Sequence, residues 1–263
     1  MVERSLFRGR LLVGHLLVVA VATLFVRLGF WQLDRLAEVR ARNALIESRL
    51  EAPPRPVEHL MGPGGQGADR ARFRRAVAEG RYDLGAQVVV PFRTREGRPG
   101  HFLLAPLVTS SGTELLVNRG WVPLSTEAEE RLQDVARAFP PPRGVVRVLG
   151  VLLPPEPGGP PPRREGPVVE APRIDVPALR TLTGRPMYPL YLQLEAQRPL
   201  QGPFPAPVPL PARSEGPHLS YAIQWFLFAT IAVVGWGLFL RRALGRRPTG
   251  AVAGAGPGDR SPS

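Results

Sequence analysis

Two long apolar stretches near the ends of the chain bracket a middle in which short apolar runs alternate with turn residues. From Leu11 to Val26 no charged residue occurs, and past Arg27 the run resumes as Leu28-Gly29-Phe30-Trp31. A helix over Leu11–Trp31 would be ~30 Å long, enough to cross a bilayer, with Arg27 close enough to one end to extend its guanidinium to the lipid surface. No small-x-small cleavage site follows, so the segment reads as an uncleaved anchor rather than a signal peptide. The second stretch, Leu219 to Leu240, holds 22 residues without a charge and is closed by Arg241, Arg242, Arg246 and Arg247. This is a strong spanning pattern.

Between the spans the period changes. Residues 32–50 contain no proline or glycine, so the first helix is expected to continue into water as far as Pro53-Pro54. Strand-like runs then follow at about 73–82, 86–92, 100–109, 113–122, 144–153 and 187–195, with hairpin turns at 95–100 and Ser110-Ser111-Gly112. Residues 126–138 read as a helix capped by Ser125 or Thr126, with Glu127, Glu129 and Glu130 in its first turn, and residues 175–183 as a shorter one. The proline-rich stretch 154–167 holds too little apolar surface to fold and reads as a loop. Residues 199–217 carry seven prolines in nineteen positions, which predicts a stiff extended strap leading back to the membrane.

The expected fold class is therefore an α+β membrane protein, with two transmembrane helices flanking a mainly antiparallel β extracytoplasmic domain. Its parts are a cytoplasmic tail (1–10), the first transmembrane helix (11–31), the β-rich domain (32–198), the strap (199–217), the second transmembrane helix (218–240) and a disordered cytoplasmic tail (241–263). Arginines before the first span and after the second place both termini in the cytoplasm. Phe30, Trp31, Tyr221 and Trp225 mark the outer boundary, and Trp236 and Phe239 the inner one. Ten residues ahead of the first span leave no room for an organelle transit peptide as well, which favours a bacterial plasma membrane.

Composition alters this picture in two places. A net charge of +12 invites a nucleic-acid partner, but the excess is concentrated in the two tails and every basic residue is arginine, so no nucleic acid is expected. The absence of lysine excludes a phosphate-loop or Schiff-base lysine, and the absence of cysteine excludes disulfides, thiolate metal sites and cysteine nucleophiles. No hydrolytic triad assembles either, and the chain is not expected to be an enzyme.

The remaining chemistry rests on four histidines: His15, His59, His101 and His218. His218 opens the second span, and its helical neighbours Ala222, Trp225 and Ala229 form a stripe of small residues beside one large aromatic, which leaves room for a flat ligand. A neutral imidazole there can serve as an axial ligand to haem iron. The plainer reading is an interfacial histidine bound to solvent or a head group, with the alanines serving helix packing. Arg27 and Arg35 at the same boundary can neutralise ligand carboxylates or extend to lipid phosphates, and Gln224 is expected to face the other helix or a ligand. Trp31 joins His218, Trp225 and Arg27 in the expected cofactor-binding set. His15, near the opposite end of the first span, lies ~24 Å from Trp31 and cannot share one haem with His218. His59 and His101 read as solvated or structural, and Asn118-Arg119-Gly120-Trp121 as a turn with a buried tryptophan.

Gly29-Phe30-Trp31-Gln32-Leu33 leaving the first span, Val117-Asn118-Arg119-Gly120-Trp121-Val122-Pro123 in the domain, and His218-Leu219-Ser220-Tyr221-Ala222-Ile223-Gln224-Trp225-Phe226 opening the second together resemble the surfeit locus protein 1 family over roughly residues 11–242. The resemblance implies a membrane-anchored assembly factor for haem-copper cytochrome c oxidase that helps place haem a into the catalytic subunit. It also implies His218 as the iron ligand, and the catalytic subunit, the haem a synthesis machinery and the lipid bilayer as partners. Gly216-Pro217 stands where many members have asparagine, and Ala105 where a threonine is common. The competing expectation is a protein-only scaffold that holds oxidase subunits together and binds no haem.

Overall fold

The computed structural model describes residues 2–124 and 131–245. The cap and first turn expected over 125–130 and the tail expected from 248 lie outside the described residues. The chain forms two compact units, one built from the first helix up to Ala41 together with the chain from Ser214, the other from Arg42–Arg213.

The first unit is a pair of helices. Helix α1 runs unbroken over Val2–Glu51, so it continues past Trp31 as the missing prolines and glycines predict. Its partner in this unit is the last helix, which spans His218–Gly245, and both are long and apolar enough to cross a membrane. The buried or partly buried positions include Leu11, Gly14, Val18, Val21, Phe25, Leu28 and Gln32 on α1, and His218, Ala222, Trp225, Ala229, Ala232, Trp236 and Leu240 on the last helix. These alternate steps of three and four are the spacing of side chains that interdigitate along a two-helix seam. Large groups sit where the opposite helix is small. A Cβ on Gly14 would lie 2.2 Å from the Trp236 ring, and one on Gly29 would lie 2.6 Å from Phe226. Phe25 packs on Trp225 at 5.5 Å and Phe30 meets Phe226 edge-on at 5.4 Å.

The second unit is a sheet that closes on itself. Its elements in chain order are β1 (Arg55–Pro56), α2 (Val57–Leu60), α3 (Ala68–Ala71), β2 (Arg75–Tyr82), β3 (Gln87–Arg95), β4 (Arg98–Thr109), β5 (Glu114–Pro123), α4 (Leu132–Ala138), β6 (Val146–Leu153), β7 (Arg163–Glu165), β8 (Val168–Glu170), α5 (Val176–Thr183) and β9 (Tyr191–Arg198); α6 is the helix His218–Gly245. The strand order is β1-β2-β6-β9-β5-β4-β3-β8-β7, and a further pairing of β2 with β4 closes β2, β6, β9, β5 and β4 into a barrel. Its interior is filled by Ala76, Ala78, Leu107, Leu115, Val117, Val148, Leu192 and other apolar residues. Most pairings are antiparallel, as expected, but β1–β2, β3–β8 and β5–β9 run parallel. Helix α5 starts and stops as its sequence prescribes, with the Asp175 side chain accepting from Ala178 N and Gly184 in the left-handed C-cap.

Three expectations need correction. The proline-rich stretch 154–167 is not a loop throughout, because Arg163–Glu165 forms β7 and pairs with β8. The apolar anchors of that hairpin, Val168 and Val169, lie just beyond the stretch and are buried. The strand expected at 187–195 begins at Tyr191 and runs to Arg198. Asn118-Arg119-Gly120-Trp121 is not a turn: β5 continues through it to Pro123, with a register shift opposite Leu103/Leu104 that takes up the irregularity at Gly120.

That segment has a second task. Gln201 donates to the carbonyls of Arg119 (2.9 Å) and Pro205 (3.0 Å), while Trp121 and Ala206 exchange both backbone hydrogen bonds at 2.8 and 2.7 Å. Half of the presumed spacer is thus pinned to the β domain. Gly120 permits the approach: its φ is +139°, and a Cβ there would lie 2.4 Å from Ala206 O. The Arg119 side chain is buried and donates to the Phe139 and Pro140 carbonyls at 2.8 and 3.1 Å, just beyond the C-terminal end of α4, where the helix dipole favours a cation. Burial lowers its pKa to about 10, so it remains charged at neutral pH. Gly120→Ala is expected to destabilise the β domain by about 2–4 kcal/mol through backbone strain and overlap, and to speed cleavage within 200–208. Denaturant titration and limited proteolysis of the full chain in detergent check both.

Candidate functional site

The helix pair sets what His218 can touch. α1 and α6 run antiparallel, so Gln32 faces His218 at one end of the seam, Phe25 faces Trp225 two turns further along, and Gly14 faces Trp236 near the other end. His218 Nδ1 lies 2.8 Å from Gln32 Oε1. A carbonyl oxygen only accepts, so Nδ1 carries a proton, and in the neutral ring Nε2 presents a lone pair. Among the described residues, no hydrogen bond involves Nε2. The backbone beside it is Gly216 in the left-handed region (φ +70°), where an added Cβ would stand 3.3 Å from Nε2. The donor set is that of an imidazole metal ligand, with one ring nitrogen oriented by a neighbour and the other available.

The approach to α6 is held from the same face of the unit. Arg40 binds Glu215 through both carboxylate oxygens at 3.0 and 2.9 Å, and this pairing holds the Glu215 carboxyl below its ordinary range and raises the Arg40 guanidinium. The pair is exposed, so its value is geometric rather than energetic. Ser214 Oγ accepts from Gly216 N at 3.0 Å, and Ser220 donates to Pro217 O at 2.8 Å, which shapes the three residues before the histidine.

The expected residues separate into two groups. His218 and Trp225 lie on the seam, and Trp225 contacts Phe25 and Phe228 in an aromatic group with centroid distances of 5.5 to 5.9 Å. Arg27 and Trp31 lie beside the seam and are exposed, Trp31 at 57%. Ala222 and Ala229 are buried, so the small residues of the His-Ala-Trp-Ala stripe take part in helix contact. Gln224, expected to face the other helix or a ligand, is exposed instead, because a step of two from Ala222 carries it off the buried face. Arg35 pairs with Glu38 at 2.7 Å. His15 Nδ1 donates to the Leu11 carbonyl (2.6 Å), and its ring stands edge-on to Trp236 at 5.3 Å, far from His218 along the pair. His59 is exposed, and His101 is buried in β4.

Gln32 was the residue missed. Its signal was present in the spacing, since Gln32 falls three and seven positions after Gly29 and Phe25 and so shares their face. The Gly29-Phe30-Trp31-Gln32-Leu33 motif drew attention to the aromatics instead. A groove of about 810 Å³ on the β domain, lined by residues including Pro56, Glu58, Glu79, Arg81, Val108 and Arg147, contains none of the four expected residues. Its charged side chains are exposed and hold no buried acid–base pair.

Comparison with known proteins places the chain by its sequence. Residues 19–230 match the SURF1 family. SURF1-like proteins of Mycobacterium bovis and Mycobacterium tuberculosis are each 33% identical over 231 residues, covering 85% of this chain and 81% of theirs. The cytochrome oxidase assembly protein SHY1 of Saccharomyces cerevisiae is 26% identical over 153 residues, covering 53% of this chain and 38% of its own. With a family match over residues 19–230, which takes in the β domain and the stretches of both helices where Gln32 and His218 lie, the chain belongs to the SURF1 family.

Proposed function

We propose that this chain is a membrane-anchored assembly factor for cytochrome oxidase, and that it binds haem a through His218 while the oxidase matures. The assembly role is supported by membership of the SURF1 family and by similarity to the yeast protein named for cytochrome oxidase assembly. The two apolar helices serve as its anchors, and arginines at the chain ends of both favour the orientation in which the termini stay cytoplasmic and the β domain lies outside a bacterial plasma membrane. The partners are the oxidase catalytic subunit and the machinery that makes haem a.

The observation that carries the haem reading is the His218 ring. Its Nδ1 is occupied by Gln32 and its Nε2 is left as a neutral donor beside a glycine. Trp236 Nε1, a further polar side-chain atom on the seam, is a donor only and cannot ligate iron. Trp225, Phe25 and Phe228 supply the apolar wall, and Arg27, exposed near the same end, is available to carboxylates. When bound, haem a supplies the iron and macrocycle destined for the oxidase. The residues of this chain hold and orient it and perform no chemistry upon it. A single imidazole suits cargo that must leave again, and His15, the other histidine of this helix pair, stands at Trp236 near the opposite end of the seam.

The test is spectroscopic. Full-length protein purified in detergent from cells that make haem a is expected to show haem absorption bands, which His218→Ala removes or shifts while Trp121→Phe leaves them unchanged. A colourless wild type, or a His218→Ala spectrum identical to it, overturns the reading in favour of a protein-only scaffold, for which the buried Ala222 and Ala229 already provide the helix contact. Gly216→Ala puts a methyl 3.3 Å from Nε2 and is expected to lower haem a affinity roughly tenfold in a titration, equivalent to about 1.4 kcal/mol.

A further inference from the structure

We infer that Gln32 is the positioning residue that makes His218 competent to bind iron, by fixing the imidazole as the Nδ1–H tautomer before any cofactor arrives. The inference rests on the haem-binding reading and goes one step further, to a residue on the other helix. A histidine ring on a helix end has two rotatable bonds and two interchangeable nitrogens, so an unconstrained side chain presents Nε2 as a lone pair only part of the time. Gln32 Oε1 at 2.8 Å removes that freedom. Because the oxygen cannot donate, Nδ1 must hold the proton, and Nε2 is left as the donor that haem iron requires.

Three features show that the contact is built rather than incidental. Gln32 belongs to the heptad-spaced seam of α1, whose other members from Leu11 to Leu28 are apolar or glycine, and its amide meets the one imidazole on the facing helix. The start of α6 is braced independently by Arg40 and Glu215, three residues before His218, which limits how far the ring can move from the amide. Gly216 brings no side chain against the Nε2 side of the ring, where an added Cβ would stand 3.3 Å away. The hydrogen bond thus points the free nitrogen away from α1 and toward the glycine. A plain interhelical contact would give the same ring tautomer, and the two roles differ in what they predict for haem a binding when Gln32 is replaced.

The experiment uses full-length protein labelled with nitrogen-15 at histidine, haem-free, in detergent at mildly alkaline pH, with the His218 signals assigned by their loss in His218→Ala. Wild type is expected to show a protonated Nδ1 and an unprotonated Nε2. Gln32→Leu is expected to lose that preference and to bind haem a 10- to 100-fold more weakly, the usual consequence of removing a ligand-orienting partner. Gln32→Glu keeps an acceptor at the same place and is expected to restore both. Glu215→Gln, which weakens the neighbouring brace but leaves Gln32 intact, is expected to keep the wild-type tautomer. Helix content by circular dichroism identifies any variant that fails to fold, and Gln32→Glu then carries the comparison. If haem-free wild type lacks the Nδ1–H form, or if Gln32→Leu binds haem a as wild type does, the positioning role is overturned while the haem reading stands. If wild type binds no haem a at all, the underlying reading fails, and the tautomer result alone then describes a helix contact.

Discussion

The interlocking of small against large side chains along the α1–α6 seam is the constraint on which the candidate site depends. Gly14 accepts the Trp236 ring and Gly29 lies under Phe226, so the axial offset between the helices is fixed by shape. With that offset, Gln32 and His218 come level, and Phe25 and Trp225 come level two turns away. A shift of one helical turn along the axis, ~5.4 Å, would take the Gln32 amide out of hydrogen-bonding range of Nδ1. The polar contact therefore inherits its geometry from apolar packing, which is the direction of dependence expected where lipid supplies no hydrophobic drive for helices to associate.

Much of the architecture was legible in the sequence because single elements carry their own signals. The two apolar runs, the unbroken helix to residue 51, the six longer strands and the Asp175-to-Gly184 helix follow from local periodicity and caps. What was not legible depends on partners distant in the chain. β7 forms only because Val168 and Val169 are buried against residues some eighty positions earlier, through the pairing of β8 with β3. Closure of the barrel rests on Gly80–Tyr82 meeting Leu107–Thr109, a pairing with no local pattern. The anchoring of the strap was not legible for the same reason: its prolines predict an extended chain, and Gly120 and Trp121, on β5, decide where Ala206 pairs with the sheet.

At the candidate site the division is similar. His218 was visible as a histidine at the mouth of an apolar run, and the stripe through Ala222, Trp225 and Ala229 correctly marked one face of α6. The partner on α1 was not visible, because nothing in a single sequence relates the offset of two helices separated by the whole β domain. Arg27 and Trp31 drew attention by their chemistry at the boundary, while the quieter Gln32 lay on the face that meets α6. In a two-helix unit the heptad position of a polar residue is more informative than its charge or size.

Two polar constellations organise the molecule, and they differ in what their loss removes. In the β domain, Asn118, Arg119 and Trp121 are buried and bonded to Gln193, to the carbonyls after α4 and to the Arg93 carbonyl, and the same segment clamps the strap. Each of these groups would be left with an unsatisfied partner in an apolar surrounding if another were removed, so they act on stability first. Gln32 and His218 are different, since the seam beneath them is already held by Phe25, Trp225, Ala222 and Ala229, and their end of the pair is only partly buried. Replacing either removes one hydrogen bond at a site where water can take its place. A polar pair whose contribution to folding is this small, yet whose geometry is fixed by the packing below it, is free to be specified by what the outward-facing nitrogen must do.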